Sequence, residues 1–268
     1  MNDAHEAYTL HRGTKPLLVS VPHVGRELPL DQHHRYVERA LRFEDADWHL
    51  DRLYGFVKAL GASFIVPRYS RYLIDLNRPK EDAPMYPGVN NTELCPTRFF
   101  TGDALYRTGM APDASEIRRR VRAYWQPYHD ALRSELERIH TAHGHVVLFD
   151  GHSIKSELPW LFDGRLPDLN LGTATGTSCA PSLRAALGRV LGAQAHFTHV
   201  TDGRFKGGHI TRHYGQPDKG VHTVQLEMCW SCYMAESPPF ELDAQRTARL
   251  SPLLQALVLT MLRWSPHG

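Results

Sequence analysis

The sequence predicts an α/β fold: a three-layer α/β/α arrangement in which helices cover both faces of a mostly parallel, mixed sheet. Two observations predict it. Short aliphatic runs suited to strands alternate along the chain with longer stretches whose apolar residues recur at helical spacing. The 268 residues, 42% hydrophobic and 10% aromatic, suffice for one substantial core, and no repeat or linker marks a boundary. Residues 1–268 are therefore expected to form a single domain.

Pro16-Leu17-Leu18-Val19-Ser20-Val21-Pro22 is an apolar run bounded by prolines and predicts a buried strand ending at His23. From Asp47 to Leu60 the residues Trp48, Leu50, Leu53, Tyr54, Val57 and Leu60 predict a helix, capped by Asp45 or Asp47 and stopped by Gly61. Ser63–Val66 and Tyr72–Leu76 predict two further strands. Residues 80–112, with Pro84, Pro87, Gly88, Asn90, Asn91, Pro96 and Gly102, predict a long irregular segment of the kind that is usually functional or disordered. A helix follows from Ser115 to about His143, bent near Pro127, and then a strand over Val146–Phe149 that opens into Asp150-Gly151-His152-Ser153. Residues 153–180 predict a second loop region, Ser182–Leu191 a helix, Phe197–Val200 a strand, Thr223–Leu226 a strand leading to Glu227, and Ala244–Arg263 the last helix.

Composition narrows the function classes. A formal charge of +2 with no long run of like charge gives no track for nucleic acid; Arg118-Arg119-Arg120 with Arg122 reads as a solvated helix face. The polar N-terminus and the lack of a long apolar stretch predict a soluble, cytoplasmic protein without a membrane partner. Four cysteines are too sparse for a disulfide scaffold. Cys229-Trp230-Ser231-Cys232 has the spacing of a thiol redox motif, but it does not open a helix after the first strand of a small unit, where such motifs act. The 17 histidines point toward metal or proton chemistry.

Three polar residues stand where strands are expected to stop: His23, His152 and Glu227. In parallel sheets active sites gather beyond the carboxyl ends of strands, so a shared rim would bring the three together. Two imidazoles and a carboxylate are the donors zinc takes in catalytic sites, where a fourth position is left for water. For the carboxylate, Asp47 and Asp51 at i and i+4 of the expected helix would share one face.

Several blocks then identify a family. Ser20-Val21-Pro22-His23-Val24-Gly25, Asp47-Trp48-His49-Leu50-Asp51-Arg52-Leu53-Tyr54, the run Ser70 to Pro79, Leu148-Phe149-Asp150-Gly151-His152-Ser153, the run Arg204 to Gly215 and Gln225-Leu226-Glu227-Met228 stand in one order over nearly the whole chain. Together they resemble the N-formylglutamate amidohydrolases of bacterial histidine degradation. The resemblance implies hydrolysis of N-formyl-L-glutamate to formate and L-glutamate. It also implies a more distant likeness to the zinc carboxypeptidase-like (phosphorylase/hydrolase-like) fold, whose Asn-Arg pair after an Asp-Leu strand end corresponds to Asn77-Arg78. On that likeness His23, Asp47 and His152 hold one Zn2+ and Glu227 is the base. Carboxypeptidases place the carboxylate ligand three residues after the first histidine, where Arg26 stands here and Glu27 is the nearby acid, so Asp47, Asp51 and Glu27 remain open as the carboxylate ligand.

A substrate with two carboxylates calls for planar, bidentate guanidinium contacts. Arg71, Arg78 and Arg212 are the candidates, with Asn77 as a further donor and His213 as a hydrogen-bonding or oxyanion-steadying group. An ion pair of Arg71 or Arg78 with Asp75 is the competing structural role. The alternatives to the deformylase activity are a hydrolase of another N-acyl or N-formimino acidic amino acid and a non-catalytic binding protein for such compounds.

Overall fold

The computed structural model describes residues 7–83 and 92–266. Seven strands form one sheet: β1 Tyr8–His11, β2 Leu17–Ser20, β3 Ser63–Pro67, β4 Val146–Ile154, β5 Leu169–Gly172, β6 His199–Thr201 and β7 Val221–Cys229. They lie in the order β1-β3-β2-β4-β7-β5-β6. The central run β3, β2, β4, β7 is parallel, β1 and β5 join it antiparallel, and β5 pairs parallel with β6. The expected mostly parallel, mixed sheet is thus the one observed.

Strand alternation sorts the core into two layers. Val19, Phe149, Val224 and Leu226 point to one face, packing against α1 (Leu50–Leu53), α4 (Pro181–Gly192) and α6 (Ala244–Arg263). Leu18, Ile65 and Leu148 point to the other, against α3 (Gln126–His143) and α5 (His209–Tyr214). Helix α6 falls where the sequence predicts it: Asp243 caps its start, accepting from the Arg246 amide, and Leu250, Leu253, Leu254, Leu257, Val258 and Met261 make a buried stripe of helical period.

Four expectations change. The helix expected over 47–60 begins only at Leu50, because His49 has a left-handed backbone (φ 64°), and it gives way to a 3-10 segment after Leu53. Tyr72–Leu76 is a series of turns and not a strand, since its polar groups bond locally: Asp75 accepts from the Asn77 amide at 2.8 Å and its own amide reaches Leu94 O. The long helix is divided into α2 (Ala114–Arg120) and α3 by a π-helical turn at Val121–Trp125, just before Pro127, which has no amide to offer the preceding turn. The loop expected over 153–180 contains β5. Of the other irregular segment, residues 84–91, with Pro84, Pro87, Gly88, Asn90 and Asn91, lie outside the described residues, and the remainder holds no named helix or strand.

His129 of α3 is wedged beneath the sheet rim, stacked on Trp125 at 3.7 Å and donating from Nε2 to Leu76 O at 2.9 Å. Burial pushes its imidazole down to about 3, against the opposing pull of the Leu76 carbonyl. The unfolded chain takes up that proton near 6.5 and the folded one only near 3, so the unfolded state binds more protons in between. Stability is accordingly complete above the higher value and falls as pH drops through the window. Denaturant midpoints measured between about pH 6 and about pH 4 should decline, and the decline should be shallower in His129→Gln.

Candidate active site

The cavity lies at the carboxyl ends of β2, β4 and β7. His23 follows β2 by three residues, and its carbonyl accepts the Asp47 amide at 3.0 Å, which fastens the segment before α1 to the strand end. His152 and Glu227 lie inside β4 and β7 as direct register partners, so adjacent strands present them side by side. They share their face with Asp150 and Gln225, two residues earlier on the same strands.

His23 and His152 sit with ring centroids 4.9 Å apart. Asp47 Oδ2 is 3.1 Å from His152 Nδ1 and 3.7 Å from His23 Nδ1, and one donor atom from each of the three residues lies within 4.8 Å of the others. All three side chains are buried. The structure brings Asp47 to the imidazoles and not the two rival acids: Asp51 lies half-buried within α1 away from the cavity, and Glu27 is exposed and paired with Arg68 at 2.7 Å. The i, i+4 face expected for Asp47 and Asp51 does not form, because the helix starts after Asp47.

Behind each imidazole stands a second carboxylate. Asp75 Oδ1 lies 2.7 Å from His23 Nε2. Asp150 Oδ2 lies 3.0 Å from His152 Nε2, yet among the described residues that buried oxygen makes no hydrogen bond, while Asp150 Oδ1 accepts from Ser20. Asn77 reaches His152 Nε2 through Nδ2 at 3.0 Å, with its Oδ1 held by the Ile210 amide. Gly208 makes that approach possible, since a Cβ there would meet Asn77 Nδ2 at 2.2 Å. Arg71 bonds Asp75 Oδ2 at 2.6 Å and His23 Nδ1 at 3.2 Å, lies over the Phe100 ring, and keeps a buried Nε–H with no partner among the described residues.

The electrostatics follow from this packing. Burial alone would raise Asp47, but the imidazoles of His23 and His152 outweigh it and hold the carboxyl well below its ordinary range. His152 shows the converse: burial opposes its protonated form, and Asp150 and Asp47 raise it well above the usual imidazole value. Glu227 is different. Burial pushes it up to about 8, with Asp47 adding to the rise and His152 and Arg71 opposing it. Its one hydrogen bond among the described residues comes from Gln225 Nε2 at 3.3 Å.

Among the described residues, Asp47, Asp75, Asp150 and Glu227 crowd one space, and Arg71 pairs with Asp75 at 2.6 Å and lies 3.9 Å from Asp47. Two imidazoles, a carboxylate and an orphaned carboxylate oxygen in such surroundings form a donor set suited to a divalent cation.

The cavity is small, about 90 Å³, and opens to solvent. Arg71, Asn77, Arg78 and Arg204 line it together with His23, Asp47, His152 and Glu227. Arg78 is held by neutral acceptors, Thr92 O, Thr92 Oγ1 and Asn77 O, so the expected competing ion pair with Asp75 forms for Arg71 and not for Arg78. Arg212 and His213 lie elsewhere. They are exposed on α5, where Arg212 bonds Gly207 O and His213 stacks on His209 at 4.9 Å. The segment reads as a glycine-flanked loop in sequence; as a helix it turns these two side chains outward. Arg204, Gln225 and Asp150 have no assigned role in the sequence, and Asp75 only that of an ion-pair partner. The alternation of β4 and β7 places Asp150 and Gln225 on the site's face and was the signal available for them.

The cysteine pair at 229 and 232 is buried, and both thiols donate to carbonyls, of Pro167 and Asp168. Burial pushes the Cys229 thiol up to about 12, the reverse of what a redox thiolate requires.

Comparison with known proteins gives one consistent picture. Residues 15–234 match the family model described as N-formylglutamate amidohydrolase. The chain is 47% identical to an N-formylglutamate deformylase of Pseudomonas aeruginosa over 97% of both chains, and 45% identical to one of Pseudomonas putida over 96% of both. Among solved structures it resembles the N-formylglutamate amidohydrolase from Ralstonia eutropha JMP134, with a TM-score of 0.80 at 26% identity over 96% of both chains. A gene product from Agrobacterium tumefaciens shares the fold, with a TM-score of 0.73 at 18% identity over 97% of this chain and 96% of that one.

Proposed function

The chain belongs to the N-formylglutamate amidohydrolase family, and from that membership and the chemistry of its cavity we propose that it hydrolyses N-formyl-L-glutamate to formate and L-glutamate with one bound zinc ion. The single observation that carries the metal part of the reading is the convergence of His23, Asp47 and His152, from three separate parts of the chain, on one buried point. Zinc held by these three residues supplies a water of lowered pKa and Lewis-acid polarisation of the formyl oxygen.

The protein's own groups do the rest. Glu227, kept basic enough by burial to accept a proton near neutrality, takes one from the attacking water as the water oxygen bonds to the formyl carbon. It then delivers that proton to the glutamate nitrogen as the carbon–nitrogen bond breaks, leaving formate and the free amine. The unpartnered Nε–H of Arg71 is a donor in reserve for the oxygen on which negative charge develops. Asn77 steadies His152, while Arg78 and Arg204 are the guanidinium groups suited to the two substrate carboxylates. The reaction assigns this chain to histidine catabolism. A non-catalytic binding protein would have no use for a base beside a cation site, which favours turnover.

The decisive experiment supplies the protein with Zn2+ and N-formyl-L-glutamate and measures formate and glutamate. Equal amounts of both are expected, abolished by a chelator; no formate release with zinc present rules the reading out, and faster turnover of an N-formimino or longer N-acyl analogue moves the substrate assignment to that class. Arg78→Met and Arg204→Met are each expected to raise KM about 10–100-fold with kcat much less affected, the value of a charge-assisted hydrogen bond. Steady-state kinetics distinguishes this from a loss confined to kcat.

A further inference from the structure

We propose that Asp75 is a positioning residue that selects which nitrogen of His23 faces the cavity, and that it anchors Arg71 with the same carboxylate. The inference rests on the reading of His23 as a cation ligand.

Asp75 is completely buried, and the bonds of its carboxylate all go to residues of the site. Its backbone amide is tied to Leu94 O at 2.7 Å. Oδ1 accepts the Asn77 amide at 2.8 Å and lies 2.7 Å from His23 Nε2; Oδ2 takes Arg71 NH2 at 2.6 Å. The Arg71 guanidinium bonded to Oδ2 keeps this carboxylate ionised.

An ionised carboxylate only accepts hydrogen bonds, so Nε2 of His23 carries the proton. The neutral ring then has its lone pair on Nδ1, the atom that faces Asp47 Oδ2 at 3.7 Å. A second neighbour agrees independently: Arg71 NH1, which only donates, sits 3.2 Å from Nδ1. In the other tautomer Nδ1–H would face Arg71 N–H, donor against donor, and Nε2 would turn a lone pair toward the Asp75 carboxylate. That tautomer also covers with a proton the atom a cation needs. Carboxylates placed behind ligating histidines fix their orientation and raise their basicity, and their loss generally weakens metal binding about 10–100-fold.

Asp75 thus does more than neutralise Arg71. Arg71, His23 and the start of the Asn77-Arg78 turn are registered against one rigid group, so the cation ligand and the substrate-binding side chains share a common reference point.

The test uses the full-length, metal-free protein with 15N-labelled histidine, the His23 signals being identified by their absence in His23→Gln. Near neutral pH wild-type His23 should show the Nε2–H pattern, and Asp75→Asn should shift it toward Nδ1–H. In chelator competition Asp75→Asn should bind Zn2+ about 10–100-fold more weakly than wild type while circular dichroism shows the fold retained. A wild-type His23 protonated on Nδ1 overturns the proposal without any variant having to fold, and so does wild-type zinc affinity in a folded Asp75→Asn. A wild-type protein that takes up no zinc overturns instead the ligand reading beneath it, while the tautomer, read without metal, is decided separately.

Discussion

Replacing His152 with alanine is expected to lower kcat/KM for N-formyl-L-glutamate about 10³–10⁴-fold, the several kcal/mol that a correctly held Lewis acid contributes to an amide hydrolysis. Of the three proposed ligands, His152 has the most dependants. Its Nδ1 is 3.1 Å from Asp47 Oδ2, its Nε2 is 3.0 Å from both Asn77 Nδ2 and Asp150 Oδ2, and its strand neighbour is Glu227. Alanine removes one of three donors and leaves Asp47 and Asp150 facing each other across a space where no cation is fully held. Zinc bound per chain, measured after dialysis, should fall below one in step with activity. Full activity in a folded His152→Ala protein would remove the metal site from the mechanism.

Glu227→Gln is expected to reduce kcat about 10²–10⁴-fold with KM little altered, the span of a single general acid–base group. Glutamine keeps the shape and the contact with Gln225 but cannot carry a proton. The rise of Glu227 to about 8 in the cation-free protein has a further consequence. At pH 7 the group is mostly protonated, and a divalent cation between His23, Asp47 and His152 favours its ionised form. Zinc binding should therefore release a proton from Glu227, and zinc affinity should fall as the solution is acidified below that value. Calorimetry in buffers of different ionisation enthalpy should find fewer protons released by Glu227→Gln than by wild type. An equal number would show that Glu227 is already ionised in the cation-free state.

The parts of the fold legible in the sequence are those whose pattern is long or one-sided. Helix α6 shows its period across 20 residues with a capping aspartate in front, and β4 is apolar through its first half. What escaped was short or locally bonded. Strand β1 is a four-residue edge with alternating exposure, and β5 is four residues set among Gly, Thr and Pro, too few for a period to register. The run Tyr72–Leu76 looks like a strand because it is apolar, but its residues are apolar to pack under turns, and Asp75 is committed to His23 and Arg71.

At the site the two histidines and Glu227 were visible as polar breaks in apolar runs. The choice among Asp47, Asp51 and Glu27 was not, because it depends on where a helix begins, and a left-handed backbone at His49 decides that. Arg204 stood in a recognised block, yet nothing local shows that the chain between β6 and α5 folds back over the cavity. The same blindness made Arg212 and His213 look like site residues, when a six-residue helix turns them to solvent.

His152 and Glu227 occupy facing positions on neighbouring parallel strands. The proposed proton carrier and one of the proposed ion donors are therefore spaced by the backbone ladder itself, while the cavity wall around Phe100, Phe162 and Arg204 comes from intervening loops. Bond-breaking hardware and acceptor selectivity are built from separable material. Redesign toward a bulkier acyl group or an uncharged amino acid can thus proceed by rebuilding the loop walls, leaving the hydrolytic centre on its scaffold undisturbed.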